Sequence, residues 1–266
     1  MAKIKVGTYK PVEPSKNYLL YAPCYQVNTS TAISDLSGKQ NDLNFNQGKS
    51  ALSTAEVWSV ANKASTVYGG SATTAKGFFL PAEDINTVDF SKKEGVIILC
   101  TVTVTTPAAN TGFIAQGSST TDTGLRVGIT TGNVLKPSFY SAAEQIFFPD
   151  SAAISNGVAT RVLLFFGGSS ATGLKYACYL NEASAQAALT NGIATGSIAP
   201  TGRTEPLYFG MYKITTNAYS SLTANFSSIH VIKVENTDNI TFAGLKDLTI
   251  RYKMSPDTVL SYGDVP

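Results

Sequence analysis

Charge is scarce in this chain: 14% of its 266 residues are Asp, Glu, Lys or Arg, against about a quarter in an ordinary globular protein. Ser, Thr, Asn and Gly take their place, and the mean hydropathy is +0.04. Intrinsic disorder is excluded, because it goes with low hydrophobicity and high net charge. A formal net charge of +2 excludes a strongly basic nucleic-acid binder on composition alone. Histidine occurs once, as His230, tryptophan once, and cysteine three times, as Cys24, Cys100 and Cys178. The cysteines form no CxxC pair, so neither a zinc site nor a disulfide framework is expected. They read as buried free thiols, which implies a reducing folding environment. A catalytic triad would have to use His230. Nothing around it supplies partners, so it reads as a strand residue facing solvent or a neighbour, and its loss is expected to be silent for function. No apolar run reaches the length of a membrane helix. The opening residues MAKIKVGTYKPVEP lack the apolar segment of a signal peptide. The glycine stretches lack the GxxxxGK[ST] spacing of a phosphate loop.

What is present is strand signal. GVIILCTVTVTT (95–106) is nearly continuously β-branched, as expected of a strand buried on both faces. GFIAQGS (112–118), GLRVGITTGN (124–133), ATRVLLFFGG (159–168), GLKYACYL (173–180), PLYFGMYKI (206–214) and ANFSSIHVIKV (224–234) follow, divided by Gly, Pro and Asn. No alternation of strands with helices appears, which excludes a doubly wound sheet. The expected core is Val96, Ile98, Cys100, Val102, Leu163, Phe165, Tyr176, Cys178, Ile229 and Val231. Helix signal is confined to NEASAQAALTNG (181–192), with Asn181 as N-cap and Gly192 as C-cap, and to a single turn in AGLKDL (243–248). Residues 51–75 fit either state. Residues 1–20 carry four lysines against one glutamate, together with Pro11 and Pro14, and read as an extended basic arm.

The order of these segments resembles the concanavalin A-like, laminin G-type lectin sandwich. Asp35, Ser37, Gly38 and Asn41 in SDLSGKQNDLNF are similar to the family's early Asp-x-Ser-Gly-x-x-Asn turn. DFSKKEGVIILCTVTV resembles its first long core strand. RVLLFFGGSSATGLKYACYLNE resembles the strand, polar turn and strand ending in Tyr-x-Asn, and PLYFGMYKI through SSIHVIKV resembles the last hairpin, with Gly210 in the family's glycine position. Where the family continues Tyr-x-Asn with Gly, this chain has Glu182. The resemblance covers about residues 30–250 and implies an all-β, antiparallel jelly-roll sandwich. The low-charge, Ser/Thr/Ala/Asn-rich style also resembles tailed-bacteriophage virion proteins, many of which carry such sandwiches.

The expected organisation is therefore an assembly arm over 1–20, a lectin-like sandwich over 21–250 and a C-terminal tail over 251–266. In the arm, Lys3, Ile4, Lys5, Val6, Tyr9, Lys10 and Val12 are the candidate contacts with another chain. Glycoside hydrolysis needs two carboxylates converging on one bond. No strand carries E-x-D or E-x-E spacing, the adjacent Glu83 and Asp84 are expected to point to opposite faces, and Glu235 and Asp238 fall in a turn, so the chain is not expected to be an enzyme. Asp35, Asp42, Asp122 and Asp150 are scattered, and the Asp35 turn reads as an Asx-type turn rather than a calcium site. No cofactor, metal, nucleic acid or membrane is expected. Sugar binding works through aromatic faces with polar groups placed around them. Phe139, Tyr140, Tyr208 and Tyr212 are the candidates, the last two on one strand face by their spacing of four. The leading expectation is a bacteriophage virion structural protein, a fibre, baseplate or head-decoration component that oligomerises and docks on other virion proteins after folding in the host cytoplasm. The alternative is a carbohydrate-binding module recognising a host surface glycan.

Overall fold

A computed structural model describes residues 17–23, 32–45, 58–59, 64–67, 77–107, 110–116, 124–140, 145–148, 150–168, 174–184, 203–215 and 218–254. Along the chain the strands are β1 (Tyr18–Ala22), β2 (Ala32–Ile33), β3 (Leu43–Phe45), β4 (Trp58–Ser59), β5 (Ala64–Val67), β6 (Phe78–Leu80), β7 (Gly95–Val104), β8 (Thr111–Gln116), β9 (Gly124–Ile129), β10 (Leu135–Tyr140), β11 (Gln145–Phe147), β12 (Thr160–Gly167), β13 (Lys175–Leu180), β14 (Ala183–Ser184), β15 (Leu207–Phe209), β16 (Met211–Thr215), β17 (Ala218–Ser221) and β18 (Ala224–Val234). The helices are α1 (Ala82–Ile85) and α2 (Phe242–Met254). One sheet runs β14-β13-β12-β7-β18-β5-β4, with β1 also pairing on β18. The second runs β11-β10-β9-β8-β15-β6-β3-β2, and β16-β17 form a separate ribbon. All pairs are antiparallel. The fold is an antiparallel, lectin-like β-sandwich.

Strand parity assigns each side chain to a layer. On β7, Val96, Ile98, Cys100, Val102 and Val104 point between the sheets, against Phe113, Leu125, Val127, Phe139 and Phe209 from the second sheet. The alternate residues Ile97 and Leu99 join Leu163, Phe165, Ala177 and Tyr179 on the far side of the first sheet, under Leu245, Leu248 and Tyr252 of α2. This second layer explains the continuous apolar run over 95–104. All ten expected core residues are buried, but Leu163 and Phe165 lie under the helix rather than inside the sandwich. Cys100 and Cys178 are buried free thiols; Cys24 lies outside the described residues.

The first sheet also accounts for His230, which is fully buried rather than turned to solvent. A bulge in β18 between Ser227 and His230, with Ser228 at φ 51°, rotates the ring into an aromatic box. Its Nδ1 lies 2.9 Å from Tyr18 Oη. Tyr21 stacks on it at 4.6 Å between ring centroids, and Tyr252 meets it edge-on at 5.3 Å. The Tyr252 hydroxyl donates to the Ser228 carbonyl at 2.9 Å, capping the bulge from the helix.

Several expectations are corrected. The arm cannot extend to residue 20, because Tyr18–Leu20 belong to β1 inside the first sheet; its candidate contacts Lys3 to Val12 lie outside the described residues. The boundary at 250 falls within α2, which is thirteen residues long rather than one turn because it shields the outer face of the first sheet. The helix beginning at Asn181 is replaced, as far as Ser184, by a hairpin. Asn181 and Glu182 take φ of 49° and 72°, and Leu180 pairs with Ala183, which is a two-residue primed turn. Glu182 stands where such a turn favours Gly, and its carboxylate is held by Arg161 at 2.6 Å and Lys253 at 3.1 Å. Within 51–75, the described residues form β4 and β5. Among the described residues no helix is long and apolar enough to cross a membrane.

Candidate functional site

The outward face of the second sheet carries the candidate site. In β9 and β10, Leu125, Val127, Ile129, Leu135 and Phe139 point into the core. The alternate positions Arg126, Gly128, Lys136, Ser138 and Tyr140 line a groove together with Asn110, Thr111, Phe147 and Tyr212. The groove is open to solvent and encloses about 190 Å³. Three aromatic side chains frame it, and Phe147 at its rim is 73% exposed, so the groove presents clustered apolar ring surface beside polar groups, as ligand grooves do.

One wall is the β16–β17 ribbon, and two glycines bring it there. Gly210, at φ 71°, ends β15 and turns the chain out of the sheet; its amide donates to the Phe113 carbonyl at 2.7 Å. Gly112 in β8 lets the ribbon lie directly on the sheet. A Cβ at that position would stand 2.6 Å from Tyr212 Cδ1 and 2.8 Å from the Met211 carbonyl carbon. A hydroxyl bridge between Thr111 and Ser220, 2.8 Å long, fastens the far side of the ribbon.

Arg126 stands at the centre. Its guanidinium lies 4.2 Å from the Tyr212 ring centroid and 5.6 Å from that of Tyr140, within the range of cation–π attraction. It also donates from Nη1 to Tyr140 Oη at 3.2 Å. Lys136, two positions from Ser138 on the same face, pairs loosely with Asp150 at 3.6 Å.

Of the four aromatic residues singled out by sequence, the fold brings Tyr140 and Tyr212 together and removes the other two. Phe139 is fully buried in the core, edge-on to Phe90 at 5.5 Å between centroids, because neighbours on a strand face opposite ways. Tyr208 is fully buried with Met211 and Phe79. The spacing of four does not place it beside Tyr212, since Gly210 breaks the strand between them. Arg126 and Phe147 went unnoticed in the sequence. The one signal for Arg126 was the alternation in GLRVGIT, which turns it outward beside Gly128; nothing local linked it to Tyr212.

The other sequence candidates do different work. Asp35 is a loop organiser. Its Oδ1 accepts from the Tyr21 and Ser37 amides, each at 2.8 Å, and its Oδ2 accepts from Ser37 Oγ at 2.7 Å and the Asn41 amide at 3.1 Å, so the Asx-type reading holds. Asp122 lies outside the described residues. Glu83 and Asp84 sit not on a strand but in the first turn of α1. The Asp84 carboxyl is pushed up to about 6, chiefly by burial and further by Glu83 and Asp35. Beside them a second, larger hollow of about 550 Å³ is bounded by Glu83, Glu205 and Lys213, the last two joined as an ion pair. Asp238 lies between Lys93 and Lys175, which hold its carboxyl below the usual range. No cluster of three His, Cys, Asp or Glu suited to a metal ion occurs among the described residues.

No family model matches the chain, and no curated protein matches it. Solved structures do. A sialidase of Trypanosoma rangeli superposes with a TM-score of 0.55 at 12% identity, over 91% of this chain and 34% of the sialidase; the same enzyme in complex with sialic acid gives 0.54 at 14%. A structure of botulinum neurotoxin type C, which depends on interaction with two ganglioside molecules to enter cells, gives 0.55 at 12%, over 88% of this chain and 51% of that one. The chain thus spans about a third of the sialidase and about half of the toxin chain. At these identities the likeness is one of fold, the lectin-like sandwich.

Proposed function

We propose that this chain is a carbohydrate-binding module that recognises a host surface glycan through the groove on its second sheet. The observation that carries the reading is the exposed Phe147 ring at the rim of a groove also lined by Tyr140, Tyr212, Arg126 and the polar side chains of Asn110, Thr111, Thr130 and Ser138. Aromatic faces cover the apolar face of a sugar ring, and amide, hydroxyl and guanidinium groups fix its hydroxyls. The fold shared with a sialidase seen with sialic acid and with a ganglioside-dependent toxin supports the same reading. The site is read as one for binding rather than hydrolysis: most glycosidases act with two carboxylates, and the described lining of the groove includes none. Phe147→Ala is the test. It should weaken binding to a glycan array about tenfold, as expected for a stacking residue, and leave the melting temperature unchanged. Undiminished binding would refute the assignment of the groove.

The second reading is a bacteriophage virion component that oligomerises and docks on other virion proteins. Ile250 and Met254 favour only its general part, a contact with another protein. They are one helical turn apart on α2 and 37% and 77% exposed, an apolar pair suited to a protein contact. In that reading the basic arm reaches another chain, and deleting residues 2–14 leaves a folded domain that no longer assembles, which sedimentation would detect.

A further inference from the structure

The charge of the groove narrows its ligand. Its described lining holds two cationic side chains, Arg126 and Lys136, and no anionic one. The four arginines differ in how they are used. Arg161 pairs with Glu182 and Arg251 with Asp247, and Arg203 donates to Gln116 Oε1 and to the Val88 carbonyl. Arg126 has no carboxylate partner among the described residues; its contacts are the Tyr140 hydroxyl and the faces of two tyrosine rings. The Tyr212 ring beside the guanidinium and the Tyr140 hydroxyl on Nη1 restrain its orientation, and of its five N–H donors others are left to donate. A guanidinium held in this way is suited to the planar, bidentate recognition of an anion.

The register supplies the second half of the argument. Phe147 pairs with Ser138 on β10, and Ser138 pairs with Arg126 on β9. The three form one cross-strand row on the outward face, so Phe147 and Arg126 originate about 10 Å apart, two strand spacings. A saccharide stacked on Phe147 and lying over Ser138 would present its next substituents to Arg126.

We infer that the groove selects an acidic saccharide, with Phe147 taking the apolar face of one sugar and Arg126 taking a carboxylate or sulfate on the same or the adjoining unit. This rests on the reading of the groove as a glycan site. Lys136, half-satisfied by Asp150, adds a second positive charge along the path of the anion.

The test uses the full chain and an array of matched saccharides, each a neutral oligosaccharide with its carboxylated and its sulfated form, on galactose, glucose and amino-sugar backbones. The charged forms should be retained at least about tenfold more tightly than their neutral partners, the range of a charge-assisted hydrogen bond. That advantage should vanish in Arg126→Gln, survive in part in Arg126→Lys, and shrink with added salt. Preference for the carboxylated over the sulfated form identifies the planar anion as the ligand group; the reverse preference identifies the sulfate. Equal retention of neutral and charged forms, lost on Phe147→Ala, overturns the acidic specificity and leaves the glycan reading standing. Charged forms bound equally by wild type and Arg126→Gln overturn the role of Arg126. Retention of no saccharide overturns the glycan reading, and this inference with it. Unchanged thermal unfolding of the Arg126 variants confirms that each comparison is between folded proteins.

Discussion

Replacing His230 with Ala removes a wholly buried ring from between β1, β18 and α2, and should destabilise the protein by about 3–4 kcal/mol. Two losses combine. The bond to Tyr18 Oη, 2.9 Å long, is worth about 1 kcal/mol net. The rest is packing: Tyr21 and Tyr252 lose a ring partner at 4.6 and 5.3 Å, and a cavity opens at a site where truncating a larger aromatic costs about 3–5 kcal/mol. For a domain of this length each kcal/mol lowers Tm by about 2–4 °C, so a drop of roughly 10 °C is expected. Thermal unfolding followed by circular dichroism measures it. His230→Phe, which keeps a ring in the box but not the hydrogen bond, should recover part of the loss. Saccharide binding by the folded His230→Ala variant should be unchanged, because the histidine lies in the first sheet and the groove on the second. A Tm within 2 °C of wild type would refute the argument that the box holds β1 and α2 to the sheet.

Three further outcomes are expected. Gly112→Val should cost about 1–3 kcal/mol through overpacking and weaken ligand binding, since its side chain would push Tyr212 and Met211 off β8; a variant with unaltered Tm and affinity would contradict the placement of the ribbon. Asp84 titrates near 6 in the folded state, above its unfolded value, so its contribution to stability is complete below about pH 4 and is lost as pH rises through 6. Asp84→Asn should therefore raise Tm at pH 7 and leave it unchanged at pH 3.5, and an equal gain at both would refute the assignment. Burial pushes the Cys178 thiol up to about 12 and Cys100 is equally enclosed, so in a Cys24→Ser background a thiol reagent at pH 8 should modify neither until the protein is denatured; rapid labelling of the native protein would count against the core.

The strands of the core were legible in the sequence, and so was the resemblance to lectin sandwiches. β7, β12, β13 and β18 announce themselves through β-branched and aromatic residues, because a strand buried on both faces confines charge to its ends, as with Arg161, Lys175 and Lys233. The turn around Asp35 was legible for a similar reason: an aspartate followed at short range by Ser37 and Asn41 closes its hydrogen bonds within one loop. The helix α2 was underestimated, since its reason to continue past 248 is the outer face of a sheet that no local pattern reveals. For His230 the choice between solvent and a neighbour was open on the same account, and the structure decides for the neighbour. Its environment is assembled from Tyr18, Tyr21 and Tyr252, which lie at either end of the described chain.

By itself the sequence determined the fold class, the buried thiols of Cys100 and Cys178 and the presence of aromatic residues available for a ligand, all of which follow from composition and from periods of two along single strands. Tertiary structure alone decided which aromatics reach the surface. Phe139 and Tyr140 are neighbours, and one faces the core and the other the groove because the register with β9 sets the parity of the strand. Tyr208 and Tyr212 part company because Gly210 turns the chain. Arg126 becomes the centre of a site only when a ribbon 86 residues later folds over Gly112 and lays Tyr212 against it. Such contacts are long-range and are selected by packing, whereas the strands that support them are selected locally.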